Sequence, residues 1–163
     1  MSLSGLVELS DKSAEYLSNH SGELYLEGLK KLSDAVAKCL SKHKDYISLT
    51  GLTEISSNTA KHLSKFTGNF LGMVKLDLPN IKEIDDSSAE ALASFKGDEL
   101  FLNGLEVLSD KAAKYFSTFK GESLSFEGLI KLSNKASGAL IKYKGNINGM
   151  APKEWIESLK SNE

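Results

Sequence analysis

The chain has 163 residues, is 40% hydrophobic, carries a formal net charge of −2 and contains one cysteine, Cys39. That supplies a core for one domain. It gives no charge-driven pull toward nucleic acid, and one thiol excludes an internal disulfide framework or a cysteine-rich metal site. No apolar run is long enough to span a bilayer, Met1–Gly5 lacks the basic-then-apolar layout of a secretory signal, and all the basic residues are lysine, which withholds arginine's bidentate grip on phosphate.

Along the chain one frame returns six times. A first copy starts at Met1, with Leu3, Gly5, Leu6, Leu9, Ser10 and Asp11. Leu24–Tyr25–Leu26–Glu27–Gly28–Leu29–Lys30–Lys31–Leu32–Ser33–Asp34 repeats it, and so does Ile47–Ser48–Leu49–Thr50–Gly51–Leu52–Thr53–Glu54–Ile55–Ser56–Ser57. A fourth copy has Leu76, Leu78, Ile81, Ile84 and Asp86, a fifth runs from Leu100 to Asp110 and a sixth from Leu124 to Asn134. The starts at 1, 24, 47, 76, 100 and 124 are 23, 23, 29, 24 and 24 residues apart. Self-similarity at this period is the mark of a repeat architecture.

Each copy reads in two parts. Leu-x-Leu alternates, as a short strand with one buried face does. The Ser–Asp pairs, Ser33–Asp34 and Ser109–Asp110 among them, suit a helix start: the hydroxyl caps a free N–H and the carboxylate favours the positive end of the helix dipole. Ala37 with Leu40, Ala60 with Leu63, and Ala89 with Leu92 then share a helix face. Gly22, Gly68, Gly97, Gly121 and Gly145 stand where a left-handed C-terminal cap is expected, with Asp45 the exception. One such unit buries too little to order itself, so stacking of neighbours must supply the rest.

This pattern resembles leucine-rich repeats, of the short 23–24-residue bacterial type, over residues 1–145. The usual asparagine three positions after the strand is replaced by Leu29, Leu52, Ile81, Leu105 and Leu129, so the asparagine ladder of that family is missing. The resemblance implies an α/β, right-handed strand–helix solenoid with short parallel strands on one face and helices on the other, and a strand face that binds proteins. Residues 146–163 leave the pattern. Pro152 followed by Trp155, Ile156 and Leu159 reads as a C-terminal capping helix. The first copy has no comparable cap, which leaves an open edge able to pair with another copy.

The expected chemistry is recognition without catalysis. His20 and His43 fall in the column that also holds Phe66, Phe95, Phe119 and Tyr143, while His62 takes the slot of Cys39 and Tyr115, so the repeat assigns all three histidines structural places. Asp85–Asp86 falls where Ser33–Asp34 does and reads as a helix cap. No cofactor, metal or catalytic motif is expected. Between and beside the buried leucines the strand positions face outward: Glu23, Tyr25, Glu27, Tyr46, Ser48, Thr50, Lys75, Asp77, Glu99, Phe101, Asn103, Ser123, Ser125 and Glu127. Of these, Tyr25, Glu27, Tyr46, Thr50, Asp77, Phe101, Asn103 and Glu127 are the candidate partner-binding set, because aromatic anchors among acidic groups fit a protein or peptide with a basic segment. Nucleic acid and membrane are not expected partners. Self-association through the first repeat is the alternative. The extra residues near Asn69–Lys75 read as a loop tucked over the core.

Overall fold

Each Leu-x-Leu segment is a short strand and each Ser–Asp pair opens a helix. The computed structural model describes residues 1–161, a mixed α/β chain with seven helices and short strands in two sheets among the described residues. The order is α1 (Asp11–Ser18), β1 (Leu24–Tyr25), α2 (Asp34–Leu40), β2 (Ile47–Ser48), α3 (Ser57–Leu63), β3 (Asn69–Phe70), β4 (Met73–Asp77), α4 (Asp86–Ala93), β5 (Glu99–Phe101), α5 (Asp110–Phe116), β6 (Ser123–Ser125), α6 (Asn134–Leu140), β7 (Asn146–Ile147) and α7 (Pro152–Ser161).

The strands align in parallel by their leucines. Leu24 pairs with Ile47, Leu76 with Leu100, Leu100 with Leu124, and Leu124 with Ile147. Each of α1 to α5 packs on the next helix in sequence. Between strands and helices lie Leu24, Leu26, Leu40, Leu78, Leu92, Leu100, Leu102 and Phe116, all fully buried. The strand row reaches Ile147 in β7, slightly beyond the expected end at 145. In α7, Trp155 and Ile156 are buried, with the Trp155 ring 6.3 Å from that of Phe126.

Serine caps work as expected and also do something unforeseen. The Ser109 hydroxyl accepts from the Ala112 N–H (2.9 Å) and donates to Asp86 of the preceding unit (2.6 Å). Ser33 donates likewise to Asp11 (3.2 Å), Ser56 to Asp34 (3.1 Å) and Ser133 to Asp110. The Ser–Asp pair is therefore both a cap and a rung joining successive helices. Asp34 collects donors from Asn58, Ser56 and Thr59, and these hydrogen bonds, the Asn58 amide first, hold its carboxyl below the usual aspartate range.

Three expectations are corrected. Of the proposed left-handed cap glycines only Gly22 has a positive φ (97°); the helices end instead in right-handed residues such as Ser41, Ser64 and Ser117. Gly68, Gly97, Gly121 and Gly145 serve close approach: a Cβ at 68 would lie 2.1 Å from the Asp45 carbonyl oxygen. Ser48 and Ser125 are buried rather than outward and open, because their hydroxyls donate to Glu27 (3.1 Å) and Asn148 (3.2 Å) of neighbouring units. The Asn69–Lys75 segment is not a tucked loop. It is a hairpin of β3 and β4, turning through Leu71 (φ 52°) and Gly72 (φ 92°), with Leu71 88% exposed. Two successive positive φ values are what a tight two-residue hairpin requires.

The expected aromatic column is stacked over its last three members, and His20 at its other end is half-buried. Phe95, Phe119 and Tyr143 stack at 6.4 and 6.2 Å. Tyr143 donates to the Gly121 carbonyl (2.7 Å), and buried His43 donates from Nε2 to Gly22 in the equivalent way (3.0 Å). Burial raises the Tyr143 phenol far above its ordinary range.

Candidate functional site: an aromatic groove where the strand row divides

The hairpin divides the strand row. The sheets are β1–β2 and β3–β4–β5–β6–β7, so β2 and β4 are not paired. β3 lies between them at one level, since Asn69 bridges to Asp45 on one side and pairs with Val74 on the other. One turn further along, tight stacking also relaxes. Elsewhere a glycine follows the strand and lies against the preceding unit's carbonyl, as Gly51 does against Glu27 and Gly104 against Pro79. The fourth unit has Asn80 there, and its amide donates to the Thr50 carbonyl (2.6 Å). A side chain now occupies the gap that glycine keeps closed.

At this division a groove of about 530 Å³ is lined by Tyr25, Tyr46, Phe70, Lys75, Asp77, Pro79, Phe101 and Asn103. The elements explain the assembly. Outward strand positions of β1, β4 and β5 contribute Tyr25, Asp77 and Phe101, Tyr46 stands immediately before β2, and the hairpin brings in Phe70 and Lys75. Tyr25 and Tyr46 meet edge-on at 6.1 Å, and Tyr46 tilts against Phe70 at 5.1 Å. Lys75 lies 5.4 Å over the Phe70 ring and 3.7 Å from Glu99.

The charged residues in the groove lining are Lys75 and Asp77, and Glu23 and Glu99 stand beside them through Tyr25 and Lys75. The Tyr25 hydroxyl donates to Glu23 (2.6 Å), and that bond, more than burial, raises its phenol. Burial is the main cause that raises the Tyr46 phenol. Asp77 is half-buried, and burial pushes its carboxyl above the usual aspartate range despite the nearby Lys75 charge. Its carboxylate accepts no hydrogen bond among the described residues, unlike Asp34 or Asp98.

Of the eight candidate residues, five line the groove: Tyr25, Tyr46, Asp77, Phe101 and Asn103. The other three do not. Glu27 is exposed and accepts from Ser4 (3.0 Å) and Ser48 (3.1 Å). Thr50 is half-buried and offers its carbonyl to Asn80. Glu127 lies exposed in the unit after Asn103, outside the lining, its N–H directed at the Asn103 side chain (3.5 Å). Lys75 was among the outward strand positions but outside the candidate set, and Phe70 and Pro79 were missed. The break in repeat spacing, 29 residues instead of 23 or 24, was the signal that marked this place.

Searches against family models and against curated proteins give no match to the sequence. No helix among the described residues is long and apolar enough to cross a membrane.

Proposed function

We propose that the chain is a right-handed strand–helix solenoid of the leucine-rich-repeat kind over residues 1–145, closed by the segment 146–163, of which residues 162 and 163 lie outside the described residues, and that it is a non-enzymatic module binding a protein or peptide with a basic segment. The observation that carries this is the convergence of Tyr25, Tyr46 and Phe101 with Asp77 in one groove. Those rings come from separate repeats, and half-buried aromatics around a carboxylate suit an anchor with a cationic end. The parallel leucine register and the helix-on-helix packing support the solenoid reading.

The test is an array of lysine-containing decapeptides probed with labelled protein. The parent binds a subset. The double variant Tyr25→Ala with Phe101→Ala keeps its circular dichroism and loses at least tenfold in affinity for that subset. Equal binding by the folded double variant refutes the assignment.

Self-association is a second reading, favoured by one observation. Leu3, Leu6 and Leu17 of the first unit are half-buried, whereas their counterparts Leu26, Leu29 and Leu40 of the second are buried. Light scattering across a concentration series tests it, and a mass independent of concentration at the monomer value rejects it.

A further inference from the structure

The formal charge of −2 conceals an asymmetry. Residues 111–145 hold seven lysines against two glutamates, a net +5, which leaves −7 on the rest of the chain. Charge gathered in one part of a chain points to a partner of opposite sign. Six of those lysines line two adjoining furrows on the helix side. One, of about 580 Å³, runs between α5 and α6 beside Lys111, Lys114, Lys135 and Lys142. A second, of about 300 Å³, continues it past Lys120 and Lys144, and Ser117, Thr118 and Lys142 line both. Asp110 and Glu122 are the acids in the two linings.

Little in the fold answers this charge. Asp110 accepts from the Ser133 hydroxyl. Lys111 lies 3.8 Å from Asp86 and 5.8 Å over the Tyr115 ring. Lys114, Lys120, Lys135, Lys142 and Lys144 are exposed, and their ammonium groups make no ion pair or hydrogen bond among the described residues. Lys111 and Lys114 are three apart on one helix, and Lys111 and Lys135 take the same position in neighbouring helices. Like charges so placed repel, and an anion between them relieves a cost that the folded chain otherwise carries.

The concavity has its own cause. At the fifth helix position α2, α3 and α5 carry Lys38, Lys61 and Lys114, where α6 has Gly138. A Cβ there would meet nothing within 4 Å. Next to it, Ala139 stands where α5 has Tyr115. The furrow is therefore a notch with a small apolar floor and lysines on both banks. Packed helices stand about 8–10 Å apart, which gives the furrow the width of one peptide chain. Single-stranded nucleic acid binds by stacking on open rings, and the ring in these linings, Phe119, is only 3% exposed. A bilayer surface is broad and does not enter a notch.

We infer that the α5–α6 furrow docks an acidic peptide segment: its carboxylates meet the lysines of both banks, and one apolar side chain sits over Gly138 and Ala139. This surface is built by the helices, apart from the aromatic groove, and does not depend on that groove's function.

The experiment titrates the full chain into the decapeptide EEDELEDEEE, labelled with fluorescein at its N-terminus, and reads fluorescence anisotropy. Saturable binding is expected, weakening at least tenfold between about 50 and about 200 mM salt. The variant Lys114→Gln, Lys135→Gln, Lys142→Gln keeps its circular dichroism and loses at least tenfold in affinity. Lys38→Gln, Lys61→Gln, Lys65→Gln removes the same charge from the second and third units and stays within about threefold of the parent; equal losses make net charge the cause and overturn the site. Gly138→Leu leaves the charge unchanged and fills the notch, so it weakens binding at least fivefold, and parent-like binding by that variant overturns docking in the furrow. A decathymidylate bound as tightly as the peptide, or phosphatidylserine vesicles that retain the chain when the peptide does not bind, overturns the choice of an acidic peptide. So does a dimer that the lysine variant of α5 and α6 abolishes, which assigns the furrow to a second copy. No saturable change in anisotropy overturns the inference outright.

Discussion

Gly51→Ala probes the stacking of units directly. A Cβ at residue 51 would lie 1.8 Å from the Glu27 carbonyl oxygen, 2.7 Å from its carbon and 2.8 Å from the Leu29 oxygen. The shortest of these falls about 1.6 Å short of an ordinary 3.4 Å contact. Every obstructing atom is backbone of the preceding unit, so no side chain can swing aside. The second and third units must move apart, loosening the Leu24–Ile47 and Leu26–Leu49 rows. Overpacking that side chains can absorb costs about 1–3 kcal/mol; here the expected loss is about 3 kcal/mol or more, or roughly 6–12 °C in Tm for a chain of this size. Gly138→Ala is the control. It lies in α6 with nothing within 4 Å of its Cβ, and alanine in an exposed helix gains about 0.5–1 kcal/mol over glycine. Urea unfolding followed by circular dichroism reads both. Two glycine-to-alanine changes of opposite sign are expected; Gly51→Ala within about 0.5 kcal/mol of the parent would refute contact between units through this row.

Asp77→Asn should stabilise the chain at pH 7. The fold holds the Asp77 proton more tightly than the unfolded chain does, so stability falls as pH rises from the ordinary aspartate range through the raised one. The amide removes that loss, so the urea midpoint rises at pH 7 and is unchanged at pH 3, where both states are protonated. Asp34 has the opposite sign: its lowered carboxyl stabilises above the ordinary aspartate range, and that contribution disappears as pH falls through the folded value, so Asp34→Asn narrows the midpoint difference between pH 6 and pH 2. Ser109→Ala removes a cap and a rung between helices and should cost about 1–2 kcal/mol by urea unfolding. A double cycle with Asp86→Asn isolates the rung as a non-additive remainder.

The strands, the helices and the leucine rows were legible because they repeat: Leu24, Ile47, Leu76, Leu100 and Leu124 announce one environment several times over. The serine caps were legible for the same reason. Their second bond to the aspartate of the unit before was not, because a pair read within one unit does not reveal what the neighbouring unit supplies. The cap glycines were misassigned on similar grounds. A recurring glycine signals either a left-handed backbone or a surface with no room for Cβ, and at Gly68 and Gly121 the neighbouring carbonyl decides. The outward rings Tyr25, Tyr46 and Phe101 were found from alternation alone, whereas Phe70 was hidden in a segment whose apolar content suggested burial.

Taken alone, the sequence determined what each unit is: a leucine strand, a serine-capped helix, and outward rings between the leucines, since these follow from spacing along one chain. Only the tertiary structure decided where the units separate. Whether six extra residues coil over the core or turn back as a strand depends on what β2 and β4 can pair with. Here Asn69 takes the place beside Asp45, and β2 and β4 fall in separate sheets.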